Sequence, residues 1–484
     1  MTEKRGAAWR LGAWLGALAC TLLAAGCTVG PRYQRPSVQT PGAFKEPPPA
    51  GWKNAAPSDD ISKGDWWAIF KDPDLAALEN EAIKKNQTVK AALSRVDQAR
   101  AIARLTRADL FPSVGFDPSA IRSLESANRP LAPPSPAVAF TSNTFTLPLD
   151  VSYEVDLWGR VRRSVESARA TAQASAADYE NILLSLEGEV AQDYFYLRYV
   201  DADRAILRNN IQLLEKTLAL VRVRHDGGVA SGLDVSEAET LLATTQADYA
   251  GLARQRAQYE HALAVLLGRP AAEFSLPEAP FALEPPVIPA GLPSDLLERR
   301  PDVAGAERQM AALNAQIGVA RAAFFPQLSL TGSAGYQSAN LATLVNLPSA
   351  AWSVGAALAA PIYEGGRLKA NLERARAAFE ESEANYRQQV LVAFREVEDS
   401  LSDLHVLEDQ EEAQERAVQS AQSTADISTS RYKEGLANYL EVIDAQRTVL
   451  QNQRLVAQIR EQRLAASVQL IKALGGGWKD RMVP

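Results

Sequence analysis

The sequence predicts a mainly α-helical protein with a small β part, built from two internal repeats. First, Trp158-Gly159-Arg160 is matched by Gly365-Gly366-Arg367, 207 positions later, and further matches continue at the same shift without a gap. Second, two stretches place their apolar residues at heptad spacing, which is typical of long helices packed in pairs. Third, shorter segments alternate apolar and polar residues, which is typical of half-buried strands.

The composition excludes several classes of protein. The 484 residues carry a formal net charge of −7, two cysteines and three histidines. Mild acidity argues against nucleic acid as a partner, because phosphate binding needs clustered Lys and Arg. The histidines (His225, His261 and His405) are isolated from one another, and no glycine-rich segment continues into the Lys-Ser/Thr of a phosphate-binding loop. The sequence therefore predicts no enzyme, no metal site and no resident cofactor.

Residues 1–26 have the layout of an export signal. A positively charged leader precedes an apolar core from Leu11 to Ala25, which is too short for a membrane span. Small residues stand immediately before Cys27, as in a bacterial lipobox, so we expect cleavage there and a covalent lipid on Cys27. An ordinary signal peptide followed by a chance cysteine is the alternative. Thr28 rather than Asp at the next position points to the outer membrane.

The rest of the chain divides into a strap, two repeats and a tail. Residues 27–71 are rich in Pro and Gly, so we expect a lipid-anchored, extended strap that tryptophans hold against the body. These tryptophans are Trp52, Trp66 and Trp67. Residues 72–285 form the first repeat, with the order helix, two strands, long helix, turn and helix, and residues 286–474 form the second. Residues 475–484 are the C-terminal tail.

The helices have recognisable boundaries. Asp72-Pro73 is a good N-cap and N1 pair for the first helix, which we expect to be interrupted near Asn86. The long helices are predicted over about 159–224 and 366–432, and the first returning helix over about 234–267. The heptad positions are Leu207, Ile211, Leu214, Leu218 and Val221 in the long helix and Leu242, Thr245, Tyr249, Leu252, Arg256, Tyr259, Leu263 and Leu266 in the returning helix. The polar members of this seam predict shallow packing with one side near water.

Two strands per repeat give four per chain, with clear alternation over 145–155, 328–336 and 352–358. Alternation with the apolar side outward suits a transmembrane β-barrel, although a half-buried soluble sheet would alternate in the same way. Four strands cannot close a barrel, and unpaired strand edges do not occur in lipid. Three chains supply twelve strands, so we expect a homotrimer whose twelve-stranded barrel continues into a cylinder of helices.

Several motifs follow one another in the order found in one family. They are Cys27–Tyr33, Asp156–Arg160, Leu292–Asp302, Asn314–Ala320, Phe324–Pro326 and Ala473–Trp478. With them the chain resembles the TolC-like outer-membrane efflux factors, in their OprM/NodT-type lipoprotein branch. The resemblance implies a passive exit duct on a long periplasmic α-helical barrel, served by a periplasmic adaptor and an inner-membrane RND-type pump. A lipid-anchored periplasmic coiled-coil structural protein or adhesin without a pore is the alternative.

The turn after each long helix lies farthest from the predicted strands, so it should form the periplasmic mouth. The resemblance implies that carboxylates at Glu441 and Asp444 line a constricted aperture that Leu440 and Arg447 help to close, with Tyr432 as a further candidate. The counterparts in the first repeat are Asp234 and Glu237. A threefold ring of carboxylates would favour cations.

Plainer roles are open for the same residues. Asn438 and Glu441 have the spacing of a capping box, as do Ser231 and Asp234, so Glu441 and Asp234 could act only as helix caps. Asp444 could belong to a solvated helix face, and the ring of Tyr432 could pack between helices. The sequence leaves these alternatives open.

Overall fold

A computed structural model describes residues 28–38, 40–45, 65–128, 139–281, 283–286, 288 and 300–476. The predicted signal peptide, Cys27 and Trp52 lie outside these ranges. The chain divides into two compact units. The first comprises Met1–Pro36, Val96–Ser175 and Ala306–Asn385, and the second comprises Ser37–Arg95, Ala176–Gly305 and Tyr386–Pro484. Among the described residues, none of the helices combines the length and hydropathy that a bilayer span requires.

Seven α-helices are described, and the last three repeat the order and lengths of the second to fourth. The seven are α1 (Pro73–Lys85), α2 (Gln87–Ala108), α3 (Arg160–Asp226), α4 (Gly232–Leu266), α5 (Pro301–Ala322), α6 (Arg367–Lys433) and α7 (Tyr439–Ala473). Helices α3 and α6 both have 67 residues, and helices α4 and α7 both have 35. Each helix of the second pair begins 207 positions after its counterpart, as the sequence matches predict.

The break between α1 and α2 arises from side-chain caps. Asp72 accepts hydrogen bonds from the backbone N–H groups of Asp74 and Leu75, at 2.8 and 3.1 Å, and so begins α1. Asn86 accepts from the N–H groups of Thr88 and Val89, at 2.8 and 3.1 Å, and so begins α2. Both caps satisfy backbone donors that the first turn of a helix leaves unpaired.

The first unit contains one antiparallel sheet. Its strands are β1 (Ser113–Phe116), β2 (Ser119–Glu125), β3 (Phe140–Val155), β4 (Gln327–Ser338) and β5 (Ala350–Ala359). Strands β1 and β2 pair with successive parts of β3, so they occupy one position that is interrupted at Asp117-Pro118. The sheet therefore has four strand positions, in the order β1/β2, β3, β4 and β5.

The register gathers apolar side chains on one face of the sheet. Residues directly opposite each other on neighbouring strands point to the same face. The apolar pairs include Leu147 with Tyr336, Tyr153 with Leu330, Val155 with Leu328, Leu328 with Leu358 and Ala334 with Trp352. The alternate positions pair polar residues, such as Asp150 with Ser333. Trp352 and Val354 are 79% and 80% exposed on this face, so the described part of the chain leaves it uncovered.

The second unit has a large apolar core. Its most deeply buried large side chains include Trp67, Tyr194, Phe195, Leu197, Leu263 and Leu267. Trp66 and Trp67 belong to a 3₁₀ turn, Trp66–Phe70, and both lie in this core. The expectation that these two tryptophans hold the end of the strap against the body is therefore confirmed.

The expectation of shallow packing along the α4 seam is wrong. Thr245 and Arg256 are only 3% and 9% exposed. The guanidinium of Arg256 lies 2.7 Å from a carboxylate oxygen of Asp201 and donates to the carbonyl of Leu276. The segment after α4 thus lies against the seam at Arg256, and the ion pair removes the cost of an isolated buried charge.

The segment after Cys27 is held in the first unit by close contact between glycines. The N–H of Val29 donates to the carbonyl of Trp158 at 3.0 Å. Gly30 has φ +116°, and a Cβ built on it would lie 2.6 Å from the Cα of Gly318. The motifs that contain Gly30 and Gly318 are far apart in sequence and meet at these two residues. Only glycine allows the two backbones to come this close.

Replacement of Gly30 by Ala should loosen this attachment. The positive φ and the contact with Gly318 predict a cost of about 1–3 kcal/mol, seen as faster hydrogen exchange of the amides of residues 28–36. Gly42→Ala is the matched control, since a Cβ there meets nothing within 4 Å. Equal exchange in the two variants would contradict the explanation.

Candidate channel aperture

Both helix-to-helix turns of the second unit are built by the same local chemistry. Gly228 and Gly435 have φ values of +70° and +81° and end α3 and α6 in the left-handed conformation. The N–H groups of Val229 and Leu436 return to the carbonyls of Arg224 and Arg431, both at 2.8 Å. These are the long hydrogen bonds of a Schellman motif. The turns therefore reverse the chain sharply.

The caps that begin the returning helices differ between the repeats. Ser231 and Asp234 form a reciprocal capping box, in which each side chain accepts the other residue's backbone N–H. Asn438 accepts the N–H of Glu441 at 3.0 Å, but no described residue donates to the Glu441 carboxylate. The capping role thus holds for the Asp234 side chain and not for the Glu441 side chain.

Leu440, Asp444 and Arg447 lie on one exposed stripe of α7. Their spacing of four and three residues places them on the same side of the helix, and all three side chains are exposed. Val442 and Ile443, between them, are each 1% exposed and face the core. Within the described ranges, the carboxylate of Asp444 and the guanidinium of Arg447 have no hydrogen bond or ion pair. Both charges are therefore available to the space outside the subunit.

Tyr432 lies in the core of the tip and not on this stripe. It is 5% exposed, and its ring packs against Tyr439 with centroids 5.4 Å apart. Burial raises the pKa of Tyr439 to about 12, and the nearby carboxylates Asp234 and Glu237 act in the same direction. Tyr432 therefore supports the tip by packing, and we correct the expectation that it lines the opening.

The acidic residues of the two repeats have different surroundings. Asp234 and Glu237 are half-buried and lie close enough to the tyrosine pair for their charges to act on it. Glu441 and Asp444, at the corresponding positions of the second repeat, are exposed. The acids of the second repeat are therefore the ones placed to meet a solute.

Arg224 connects the two turns, a role that was not predicted from the sequence. Its guanidinium lies 4.5 Å from the centroid of the Tyr432 ring and donates to the carbonyls of Tyr432 and Lys433, at 2.9 and 3.3 Å. A cation near the carbonyl end of a helix is favourable. The only sequence signal for this role is that Arg224 is a basic residue in the last turn of α3. That signal does not show that Arg224 would contact the end of α6.

The sheet with one apolar face, the long helices and the exposed acids Glu441 and Asp444 near their turn are features of a membrane channel. A family model described as "Outer membrane efflux protein" matches residues 78–269 and 292–476. The chain belongs to the outer membrane efflux protein family, whose members are efflux channels and not enzymes.

Individual relatives match over nearly the whole chain. The pyoverdine export outer membrane protein OpmQ of Pseudomonas aeruginosa is 36% identical, covering 89% of this chain and 92% of that protein. The cation efflux system protein CusC of Escherichia coli O6:H1 is 33% identical, covering 95% and 98%. The solved structure of the outer-membrane channel OprN has a TM-score of 0.85 at 31% identity, covering 93% of this chain and 100% of that one.

Removal of the Arg224 guanidinium should separate the two turns. Arg224→Ala loses two charge-assisted hydrogen bonds, each worth about 1.5–3 kcal/mol, so amide exchange at Gly435 and Leu436 should accelerate. Arg222→Ala is the control on the same helix, because Arg222 forms only an exposed pair with Glu239. If both variants exchange alike, Arg224 does not hold the turns together.

Proposed function

We propose that the protein is the outer-membrane exit duct of a tripartite efflux pump. It passively conducts drugs or other small toxic solutes from the periplasm to the exterior, through an aperture at the turns of the long helices. The observation that carries the proposal is the sheet with one uncovered apolar face. A pore-free coiled-coil spacer gives no reason for such a face, since exposed apolar patches of this kind mark a membrane or protein contact.

The open edges of the sheet support a homotrimer. Within the described part of the chain, β1 and β2 pair only with β3, and β5 pairs only with β4. In lipid, each unpaired backbone group costs several kcal/mol. Three copies would pair these edges and give twelve strand positions, whereas two copies would give eight, a barrel too narrow for large solutes.

The exposed stripe of α7 supports an aperture whose carboxylates repel one another and attract cations. In a trimer, each Asp444 would belong to a ring of three carboxylates, with Glu441 one turn away. At a separation of roughly 7 Å, like charges repel by about 0.6–2.4 kcal/mol per pair for dielectric constants of 80 down to 20. Leu440 and Arg447, on the same stripe, are placed to close the ring. Opening would relieve the repulsion between the carboxylates.

The tips also carry apolar side chains suited to a partner. Val229 and Leu233 are 69% and 66% exposed, and their counterparts Leu436 and Leu440 are 65% and 51% exposed. We infer that a periplasmic adaptor docks on Val229, Leu233 and Leu436 and connects the duct to an inner-membrane RND-type pump. The pump supplies the energy, because the proposed duct is passive.

The proposed anchor is a lipid on Cys27. Thr28 to Pro31 lie against the first unit: the carbonyl of Pro31 accepts from Arg163 and Asn314, at 3.0 and 3.2 Å. Val29 bonds the carbonyl of Trp158, three residues after the end of β3. A lipid on Cys27 would thus lie near the end of the sheet, where an outer-membrane boundary is expected.

Neutralisation of Asp444 should weaken the cation selectivity of the closed duct. In planar bilayers, Asp444→Asn should lower the cation-to-anion permeability ratio about threefold or more, because a cation about 7 Å from the ring loses an attraction of about 0.6 kcal/mol or more per carboxylate. Glu273→Gln is the control, since it removes an equal charge from the exposed turn at the opposite end of α4. Unchanged selectivity in Asp444→Asn would remove Asp444 from the aperture.

Replacement of Cys27 should abolish lipid attachment. Cys27→Ala is expected to incorporate no labelled acyl chain in cells, because the thiol that carries the lipid is gone, while trimers still form. Cys20→Ala, inside the apolar core of the export signal, should label normally. Continued labelling of Cys27→Ala would refute the anchor without affecting the duct.

A further inference from the structure

Two glutamates are buried in the second unit, close enough for the charge of one to act on the other, and no described cation forms an ion pair with either. Glu79 of α1 is 0% exposed and Glu187 of α3 is 6% exposed. The indole N–H of Trp66 donates to Glu187 at 2.8 Å. Neither carboxylate oxygen of Glu79 has a hydrogen-bond partner among the described residues. Burial of an ionised carboxylate in this way is very costly, so the neutral acid is favoured.

The charged groups around the pair do not compensate it. Glu180 and Asp65 also act on Glu187, and both are acids. The nearby cations are engaged elsewhere: Arg198 pairs with Asp74 and Asp201, and Arg269 pairs with Glu81. A Cβ built on Gly188, the residue after Glu187, would lie 3.6 Å from the Cδ of Lys472, so the carbon stem of Lys472 packs beside the chain there.

These surroundings set the direction of the titration. Burial, followed by the charge of Glu187, raises the pKa of Glu79 well above its ordinary value of 4.5. Burial raises the pKa of Glu187 to about 8, and the hydrogen bond from Trp66 opposes this only in part. The folded state therefore holds protons that the unfolded chain releases. The stability that these bound protons give to the folded state is complete below about pH 4.5. It is lost as the pH rises towards about 8.

We propose that Glu79 and Glu187 form a proton-dependent lock that holds the Trp66–Lys85 segment against α3 while both are neutral and releases it in alkaline surroundings. Ionisation would place two like charges in an apolar core built by Trp67, Phe70, Leu75 and Leu184. Separation of α1 and the Trp66 turn from α3 would let water reach the carboxylates. The end of the strap would then become mobile without unfolding of the long helices. This lock does not depend on the proposed duct.

The experiment is hydrogen exchange of the full-length protein in detergent, read by mass spectrometry on peptides covering Trp66–Lys85. After correction for the intrinsic pH dependence of exchange, we expect the wild type to lose about tenfold or more of its protection between about pH 6 and pH 9. Glu79→Gln/Glu187→Gln should keep its protection, since neither amide ionises. Glu215→Gln, an exposed position on α3, should behave as the wild type.

Two results would overturn the lock: protection in the wild type that does not change with pH, or the same loss in the double variant. If the double variant does not fold, Glu187→Gln alone and an infrared titration of the wild type decide. The wild type should show a protonated-carboxyl band at neutral pH that disappears in alkali and weakens in Glu187→Gln. Absence of that band would show that the pair is ionised and that no lock exists.

Discussion

Each backbone polar group of a strand must find a hydrogen-bond partner wherever water is absent, and this requirement governs the first unit. Its sheet has four strand positions and one apolar face, while the strands at its two edges each pair on one side only within the described residues. Polar side chains on the other face, such as Asp150 opposite Ser333, suit contact with water. A sheet of this kind is stable in a membrane only when other strands complete it. The proposed homotrimer follows from that need.

The second unit contains two helix-to-helix turns with the same backbone structure but different side-chain contacts. Glycine-ended Schellman turns make the two reversals alike, because their hydrogen bonds use only the backbone. The acidic side chains near the two turns have different roles. Asp234 is occupied by its capping box, whereas Glu441 and Asp444 remain exposed. Arg224 connects the two turns, because it donates hydrogen bonds to the carbonyls at the end of α6. The tip is therefore rigid in its core and charged on one stripe.

Buried charge is handled in two ways in the same unit. Arg256, Asp201 and Arg198 neutralise one another at 2.7 and 3.2 Å, and Asp203, which is 0% exposed, meets Arg454 at 2.8 Å. Such pairs fix how helices align, because loss of one partner leaves an uncompensated charge. No described cation pairs with Glu79 or Glu187, and burial raises the pKa of both carboxyls, which favours their neutral forms.

The sequence by itself determined the features that depend on neighbouring residues. The caps at Asp72 and Asn86, the boundaries of the long helices and the alternation of the strands follow from spacing along the chain. Only the tertiary structure decided which distant residues meet. It buried Arg256 against Asp201, placed Tyr432 beside Tyr439 and brought Arg224 to the end of α6. It also left the Glu79 carboxylate without a hydrogen-bond partner among the described residues. Burial and ion pairing depend on residues far apart in sequence, so no local pattern encodes them.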